Sequence, residues 1–289
     1  MRTPPRVMPA LITPFTRSGD LDLEAHRHNL ETLAGHRITG FLIGGSTGEG
    51  PYLEPGERTA LIWASREAVG RRPFLLAGVT AETQRAAEAQ VREASEAGAD
   101  GVLVLTPTTL ARNRHALVRR HFEELADASP LPVLLYSVPT YTAYPLPEEV
   151  VAELAEHPNI VGMKDSGGDP VRMQRLVAAT PEGFILFAGS SQAVTLSLAA
   201  GAYGAITASV NYVPDLLGET VATARRSPTS AAPLQRRLSR ISAVVEPHGV
   251  PGVKAAAAAV GLRPGHPRLP LRRLPARLAE RLAREAADA

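Results

Sequence analysis

The 289-residue chain contains no cysteine. Disulfide staples, thiolate zinc sites, cysteine-ligated iron-sulfur clusters and cysteine nucleophiles are therefore excluded. Aromatic residues make up 4% of the sequence, too few for a base-stacking surface, and the net charge is only +2, so nucleic acid is not an expected partner. Long apolar runs are absent as well, none approaching the ~18 residues of a membrane helix. The opening stretch MRTPPRVMPALITPF has neither the apolar centre nor the cleavage site of a secretory signal, so a cytoplasmic protein without membrane contact is expected. Lysine is nearly missing, with Lys164 and Lys254 standing against 29 arginines. A guanidinium keeps its proton and cannot act as an amine nucleophile, whereas a desolvated lysine can attack a carbonyl. Each lysine therefore has two readings, a chance survivor on the surface or an amine retained for its chemistry.

Of the residues that are present, 44% are apolar, enough for the core of one large domain. Short apolar runs recur at intervals of roughly 20 to 35 residues, each followed by an amphipathic stretch of helix formers. Eight strands are predicted: Val7 to Ile12, Thr39 to Gly44, Phe74 to Val79, Gly101 to Leu105, Pro132 to Tyr136, Ile160 to Lys164, Phe184 to Phe187 and Gly204 to Ala208. The helices between them carry start and stop signals, such as Asp169 before Pro170, and Gly98 or Gly201 after a last turn. Eight strand-helix units over residues 1–225 point to a (β/α)8 TIM barrel; an open doubly wound sheet has the same periodicity. The stretch SPTSAAPLQ (Ser227 to Gln235) reads as a linker. Residues 226–289 then form a three-helix appendage, with helices near Leu234 to Val245, Val250 to Gly261 and Pro275 to Ala287. The last is arginine-rich, but its leucines share one face, as in a packed, solvated helix.

In such a barrel the chemistry gathers where strands end. Strand 2 ends in GGSTGEG (Gly44 to Gly50), strand 5 in YSVP (Tyr136 to Pro139), strand 6 in KDSGGD (Lys164 to Asp169) and strand 7 in GSS (Gly189 to Ser191). Lys164 ends the apolar run IVGMK, which draws it toward a low-dielectric centre and favours the neutral amine a Schiff base needs. The alternative is a lysine that snorkels outward or pairs with Asp165. Ser46 and Thr47 occupy a glycine-rich turn whose amides and hydroxyls can converge on a carboxylate; the turn reads equally as a plain tight connection, and its order is neither G-x-G-x-x-G nor a P-loop. Tyr136 can relay protons beside Lys164, or be a core tyrosine. His26, His28, His36, His115 and His121 form no metal cluster with carboxylates and read as solvated helix positions, so no metal site is expected.

Together, GGSTGE, YSVP and GMKDSGGD at this spacing resemble the dihydrodipicolinate synthase and N-acetylneuraminate lyase family of class I aldolases. The likeness runs from ALITPF (Ala10 to Phe15) to GVPGVKAAAAAVG, where Lys254 takes a structural role. The resemblance implies a Schiff base between Lys164 and C2 of pyruvate or another 2-oxo acid, with no metal or organic cofactor. It further implies that Tyr136 shuttles the proton to and from the carbinolamine and the substrate hydroxyl, that Ser46 joins that relay, and that Thr47 with adjacent amides, Gly45 included, holds the substrate carboxylate. Gly189 and Ile206 would line the pyruvate pocket, and Ser166 would lie near the distal end of the substrate. It also implies a homo-oligomer, a tetramer or dimer.

Three positions depart from family patterns. Tyr141 stands where lysine-pathway synthases carry an arginine for the aldehyde's carboxylate. Ser191 and Gln192 stand where sialic acid lyases carry acids. Thr108 and Thr109 follow Thr106-Pro107, where many members have a Tyr-Tyr pair whose second phenol enters a neighbouring subunit's site. Tyr141 or Tyr144 is then the alternative source of a phenol. LLYSVP with HPNIVGMKDSGGD looks closest to 4-hydroxy-2-oxoglutarate aldolases. The expected activity is a class I lyase joining or splitting pyruvate and an aldehyde through a 4-hydroxy-2-oxo acid. The alternatives are a 4-hydroxy-tetrahydrodipicolinate synthase-like or dehydratase activity on the same scaffold, and a non-catalytic oxo-acid sensor.

Overall fold

A strand covered on both faces needs a continuous apolar run rather than an alternating one, and FLLAGV, the third such run, is buried at all six positions. In the computed structural model, which describes residues 2–289, the runs become β1 (Val7–Pro9), β2 (Gly40–Ile43), β3 (Phe74–Val79), β4 (Gly101–Leu105), β5 (Val133–Ser137), β6 (Ile160–Asp165), β7 (Ile185–Ala188) and β8 (Gly204–Thr207). All neighbours pair in parallel, in the order β1-β8-β7-β6-β5-β4-β3-β2. The ring closes where Leu11 N donates to Leu42 O at 3.0 Å, with Ala10 bridging Leu42. An open doubly wound sheet is thereby excluded, and the chain is a (β/α)8 barrel. The first strand is shorter than its apolar run because Ile12 N leaves the ladder and donates to Asn211 Oδ1 at 3.1 Å.

Between the strands lie α1 (Leu23–Gly35), α2 (Glu57–Val69), α3 (Gln84–Glu96), α4 (His115–Ala128), α5 (Pro139–Thr142), α6 (Glu148–Ala155), α7 (Pro170–Ala179), α8 (Val194–Ala199) and α9 (Pro214–Ala224). Asp22, Thr83 and Asp169 cap α1, α3 and α7 through their side chains, and Gly98 and Gly201 follow helix ends with φ of +91° and +111°. The four-residue α5 was not anticipated; it lifts Tyr141 over the rim. His26 differs from its reading as a solvated position. It is 1% exposed on the inner face of α1, its Nε2 2.9 Å from Ser65 Oγ, and burial lowers its pKa to about 4. The first-turn spacing of α1 puts His26 beside Leu30 and Leu33 on the packed face, where Ser65 serves its Nε2 and its Nδ1 is buried without a partner.

The stretch read as a linker is helix. Ser227 caps α10 (Pro228–Val245) by accepting from Ser230 N at 3.2 Å, and Pro228 occupies the first turn, where a missing N–H costs nothing. Ser, Thr and Pro, which suggested a loop, here serve as a helix start, and Ala231 is fully buried just beyond it. Helices α11 (Gly249–Ala257) and α12 (Ala276–Ala287) complete the chain. Leu238, Val245, Ala256 and Leu282 belong to the same apolar cluster as Val194 and Leu217 of the barrel's outer layer. On α12 the arginines are exposed while Leu282 and Ala286 are buried, as the leucine spacing anticipated. Among the described residues no helix is long and apolar enough to cross a membrane.

Candidate active site

Side chains alternate across a strand, so on β6 Met163 and Asp165 face the helices while Lys164 points into the barrel. Asp165 is occupied there: Arg172 Nε of α7 donates to its Oδ2 at 2.9 Å and Gly167 N to its Oδ1 at 3.0 Å. The pairing of Lys164 with Asp165 is therefore ruled out, and so is snorkelling, since Lys164 is 4% exposed. Among the described residues Lys164 has no salt-bridge partner. Its Nζ donates to Tyr136 Oη at 3.5 Å and lies 4.5 Å from the centre of the same ring. The two residues are register partners on β5 and β6, so the sheet itself sets their approach.

They open into a cavity of about 210 Å³ whose wall also includes Thr47, Ser166, Gly189 and Tyr141. Ser166 Oγ is buried without a protein partner, leaving its hydroxyl available to a ligand. Glycine is required at 189, because a methyl group there would collide with Ser166 Oγ, and Gly189 N is committed to Asp165 O at 2.7 Å. Ser46 and Gly45 share the turn that carries Thr47, but only Thr47 reaches the cavity wall, and Ile206 is packed in the barrel interior with Phe187 and Tyr136. Of the alternative phenols, Tyr141 lines the cavity, whereas Tyr144 is buried against His115, ring centres 5.9 Å apart. Thr108 and Thr109 do not line it. Their amides donate to Glu82 Oε2 at 3.0 and 2.9 Å, which pins that loop elsewhere. A wider cleft of about 810 Å³ lies beside Arg6 and Asp215, but it holds no lysine.

The turn that presents Thr47 is fastened from outside. Gly44 adopts φ +64°, and a side chain at Gly48 or Gly50 would strike the carbonyls of Leu11 or Gly44. The next residue, Glu49, is 1% exposed; its Oε1 meets Lys254 Nζ at 2.5 Å and its Oε2 accepts from Arg268 N at 2.7 Å. Lys254 is buried too and donates to His266 O at 2.7 Å, with burial lowering its pKa to about 8 against the pull of Glu49. Both lysines of the chain are thus inside it, one paired and one not.

The chain matches the dihydrodipicolinate synthetase family over residues 3–287. The chain belongs to that family. It is a lysine Schiff-base lyase of the class I aldolase type, and its family uses pyruvate and an aldehyde. The chain is 38% identical over 272 residues to 4-hydroxy-tetrahydrodipicolinate synthase 1 of Streptomyces coelicolor, covering 92% of this chain and 88% of that one. It is 35% identical to a 4-hydroxy-tetrahydrodipicolinate synthase of an Exiguobacterium species, over 92% and 91% of the two chains. A crystal structure of dihydrodipicolinate synthase from Bacillus anthracis superposes with a TM-score of 0.93 at 28% identity, covering 100% and 99% of the chains. The family match extends through α12, so the C-terminal helices are part of the family's architecture.

One functional candidate escaped the sequence. Glu246 lies in the Pro-Gly-containing break between α10 and α11 and lines the same cavity as Lys164. Its Oε1 accepts from Ser191 Oγ at 2.6 Å and from Tyr212 Oη at 3.0 Å. Burial raises its pKa, opposed by those two donors and by the charge of Lys164. A lone acid at a helix break carries no pattern that distinguishes it from a solvated one.

Proposed function

We propose that Lys164 is the Schiff-base lysine and that the cavity binds pyruvate as its imine, with a neutral aldehyde as the second substrate. The observation that carries this is a buried lysine with no salt-bridge partner among the described residues, 3.5 Å from a phenol, in a cavity where Ser166 Oγ has no protein partner. The Lys164 amine attacks C2, Tyr136 gives the departing carbinolamine oxygen its proton, and water leaves. The resulting iminium withdraws electrons so that C3 loses a proton and becomes a nucleophilic enamine. Attack of C3 on the aldehyde forms the C3–C4 bond, and hydrolysis releases a 4-hydroxy-2-oxo acid; cleavage runs the same steps backward. Thr47 holds the substrate carboxylate from the cavity wall, with Gly45 shaping the turn behind it. Ser46 supports the relay from the same turn, and Gly189 admits the substrate close to the backbone. Ile206 shapes the floor through packing, and Ser166 and Tyr141 meet the rest of the substrate. No metal or organic cofactor enters these steps.

A neutral aldehyde is favoured because, among the described residues, Lys164 is the only cationic side chain on the cavity wall, with Tyr141 where a family synthase carries arginine. An acceptor carboxylate would find no charged partner there. The synthase reading is kept because the curated relatives bear that name. Two experiments divide these possibilities. Treatment with pyruvate and borohydride, followed by peptide mass mapping, is expected to place the adduct on Lys164; wild-type protein without it would overturn the assignment. Pyruvate release from sugar-derived 2-keto-3-deoxy acids should then exceed both release from 4-hydroxy-2-oxoglutarate and coupling with aspartate semialdehyde. Faster coupling with the semialdehyde would select the synthase. The enzyme works as a homo-oligomer, supported by the exposed apolar side chains of Leu110 and Leu117 on and before α4. A monomer mass by light scattering would refute this.

A further inference from the structure

The reaction assigned to Lys164 requires a proton at the aldehyde oxygen as well as at the carbinolamine oxygen; the Tyr136 phenol lies against the Lys164 amine, and neither Thr108 nor Thr109 reaches the cavity to serve beside it. Among the described residues the wall contains a single carboxyl group, Glu246, brought over the rim by the break between α10 and α11. We propose that Glu246 is the catalytic acid-base for that oxygen, giving a proton to the nascent alkoxide in bond formation and taking it from the C4 hydroxyl in cleavage. This rests on the Schiff-base reading of Lys164.

Charge balance loads the group. When C3 loses its proton the cationic imine becomes a neutral enamine, so an ionised Glu246 beside the bound oxo-acid carboxylate would be a second uncompensated negative charge in a largely buried site. The carboxyl therefore takes up a proton when the enamine forms and is ionised again beside the iminium. Its surroundings favour this, since burial raises its pKa and the opposing influences are Lys164, Ser191 and Tyr212. The phenols of Tyr141 and Tyr212 face it without being able to neutralise it, and His248 sits two residues along the same turn. Ser191 and Tyr212 hold one oxygen, Oε1, leaving the other for substrate. Ser191 is itself fixed by Ser209 Oγ at 2.9 Å, so the carboxylate is oriented by a chain of hydroxyls from the β7 and β8 rims.

In synthesis the C3–C4 bond forms as the carbonyl π pair moves to oxygen and the Glu246 proton follows it. The enamine nitrogen lone pair returns to the iminium, and the proton earlier released from C3 equals the one consumed. Cleavage reverses every transfer, with carboxylate as base.

Three variants test this in the full-length protein. Glu246→Gln should retain the borohydride-trapped pyruvate on Lys164 to within about twofold while cleavage of the best 4-hydroxy-2-oxo acid falls about 10²-fold. The acid limb of its kcat/KM profile should vanish. Glu246→Asp should recover part of the activity together with that limb. Ser191→Ala removes a donor that favours the ionised form, so its acid limb should move to higher pH. Cleavage by Glu246→Gln within threefold of wild type, or an unmoved limb in Ser191→Ala, would overturn the proposal. Loss of trapping in step with turnover would assign Glu246 to the fold and also overturn it. Wild-type protein that traps no pyruvate sinks the Lys164 reading itself, an outcome separate from any variant's behaviour.

Discussion

An amine does nucleophilic chemistry only where nothing neutralises or solvates it, and Lys164 meets both conditions while its neighbour Asp165 is held by Arg172 on the other face. Lys164→Arg keeps a cation in the barrel but removes the nucleophile. It should lose turnover by on the order of 10³-fold or more and form no trapped adduct, with an unchanged circular dichroism spectrum. Tyr136→Phe keeps the ring beneath the amine and removes the proton carrier; turnover should fall about 10²-fold, and imine formation, followed by trapping rate, should slow with it. His26 gives a third prediction, on stability. Both the folded and unfolded chains hold it neutral above its ordinary pKa of 6.5, and the fold keeps it neutral down to about 4. Between those values only the unfolded chain takes the proton, so stability falls as pH drops, by about 3 kcal/mol at the lower end. Urea midpoints measured across that range should decline less steeply in His26→Gln; an equal slope would remove His26 as a cause.

Elements carry these residues to one place. The strand ends supply Tyr136 and Lys164 by register, and the glycine-rich turn after β2 supplies Thr47 only because Glu49 is anchored by Lys254 and the Arg268 amide. Lys254→Met leaves a buried carboxylate unpaired and should destabilise the protein by about 3–5 kcal/mol in urea unfolding. Adding Glu49→Gln should recover part of that loss, and additive losses would mean that the two do not interact. Strand ends and motif loops were legible in the sequence because apolar runs and glycine clusters are local signals. The helical start of α10 was not, since Ser-Pro-Thr-Ser serves a loop and a capped first turn equally well. The burial of His26 was likewise missed, because helical spacing shows a face and not what covers it.

On the scale of the whole chain, the helices after residue 225 share a continuous apolar cluster with the barrel and contribute Glu246 and Lys254 to its working end. The protein should therefore unfold in one transition, and a chain truncated after Arg225 should not yield folded barrel, because the outer faces of α8 and α9 lose their cover. A truncated chain with native circular dichroism and a trapped adduct would show that the barrel stands alone.

The sequence by itself determined the strand-helix rhythm, the scarcity of lysine and the three motif loops, because each is written within a few consecutive residues. Only the tertiary structure decided that the sheet closes, that Lys164 has no salt-bridge partner among the described residues, that Thr108 and Thr109 stay out of the cavity, and that Glu246 enters it. Those facts depend on contacts between residues tens of positions apart, such as Leu11 with Leu42 and Ser191 with Glu246. Only the folded path of the chain brings such pairs together.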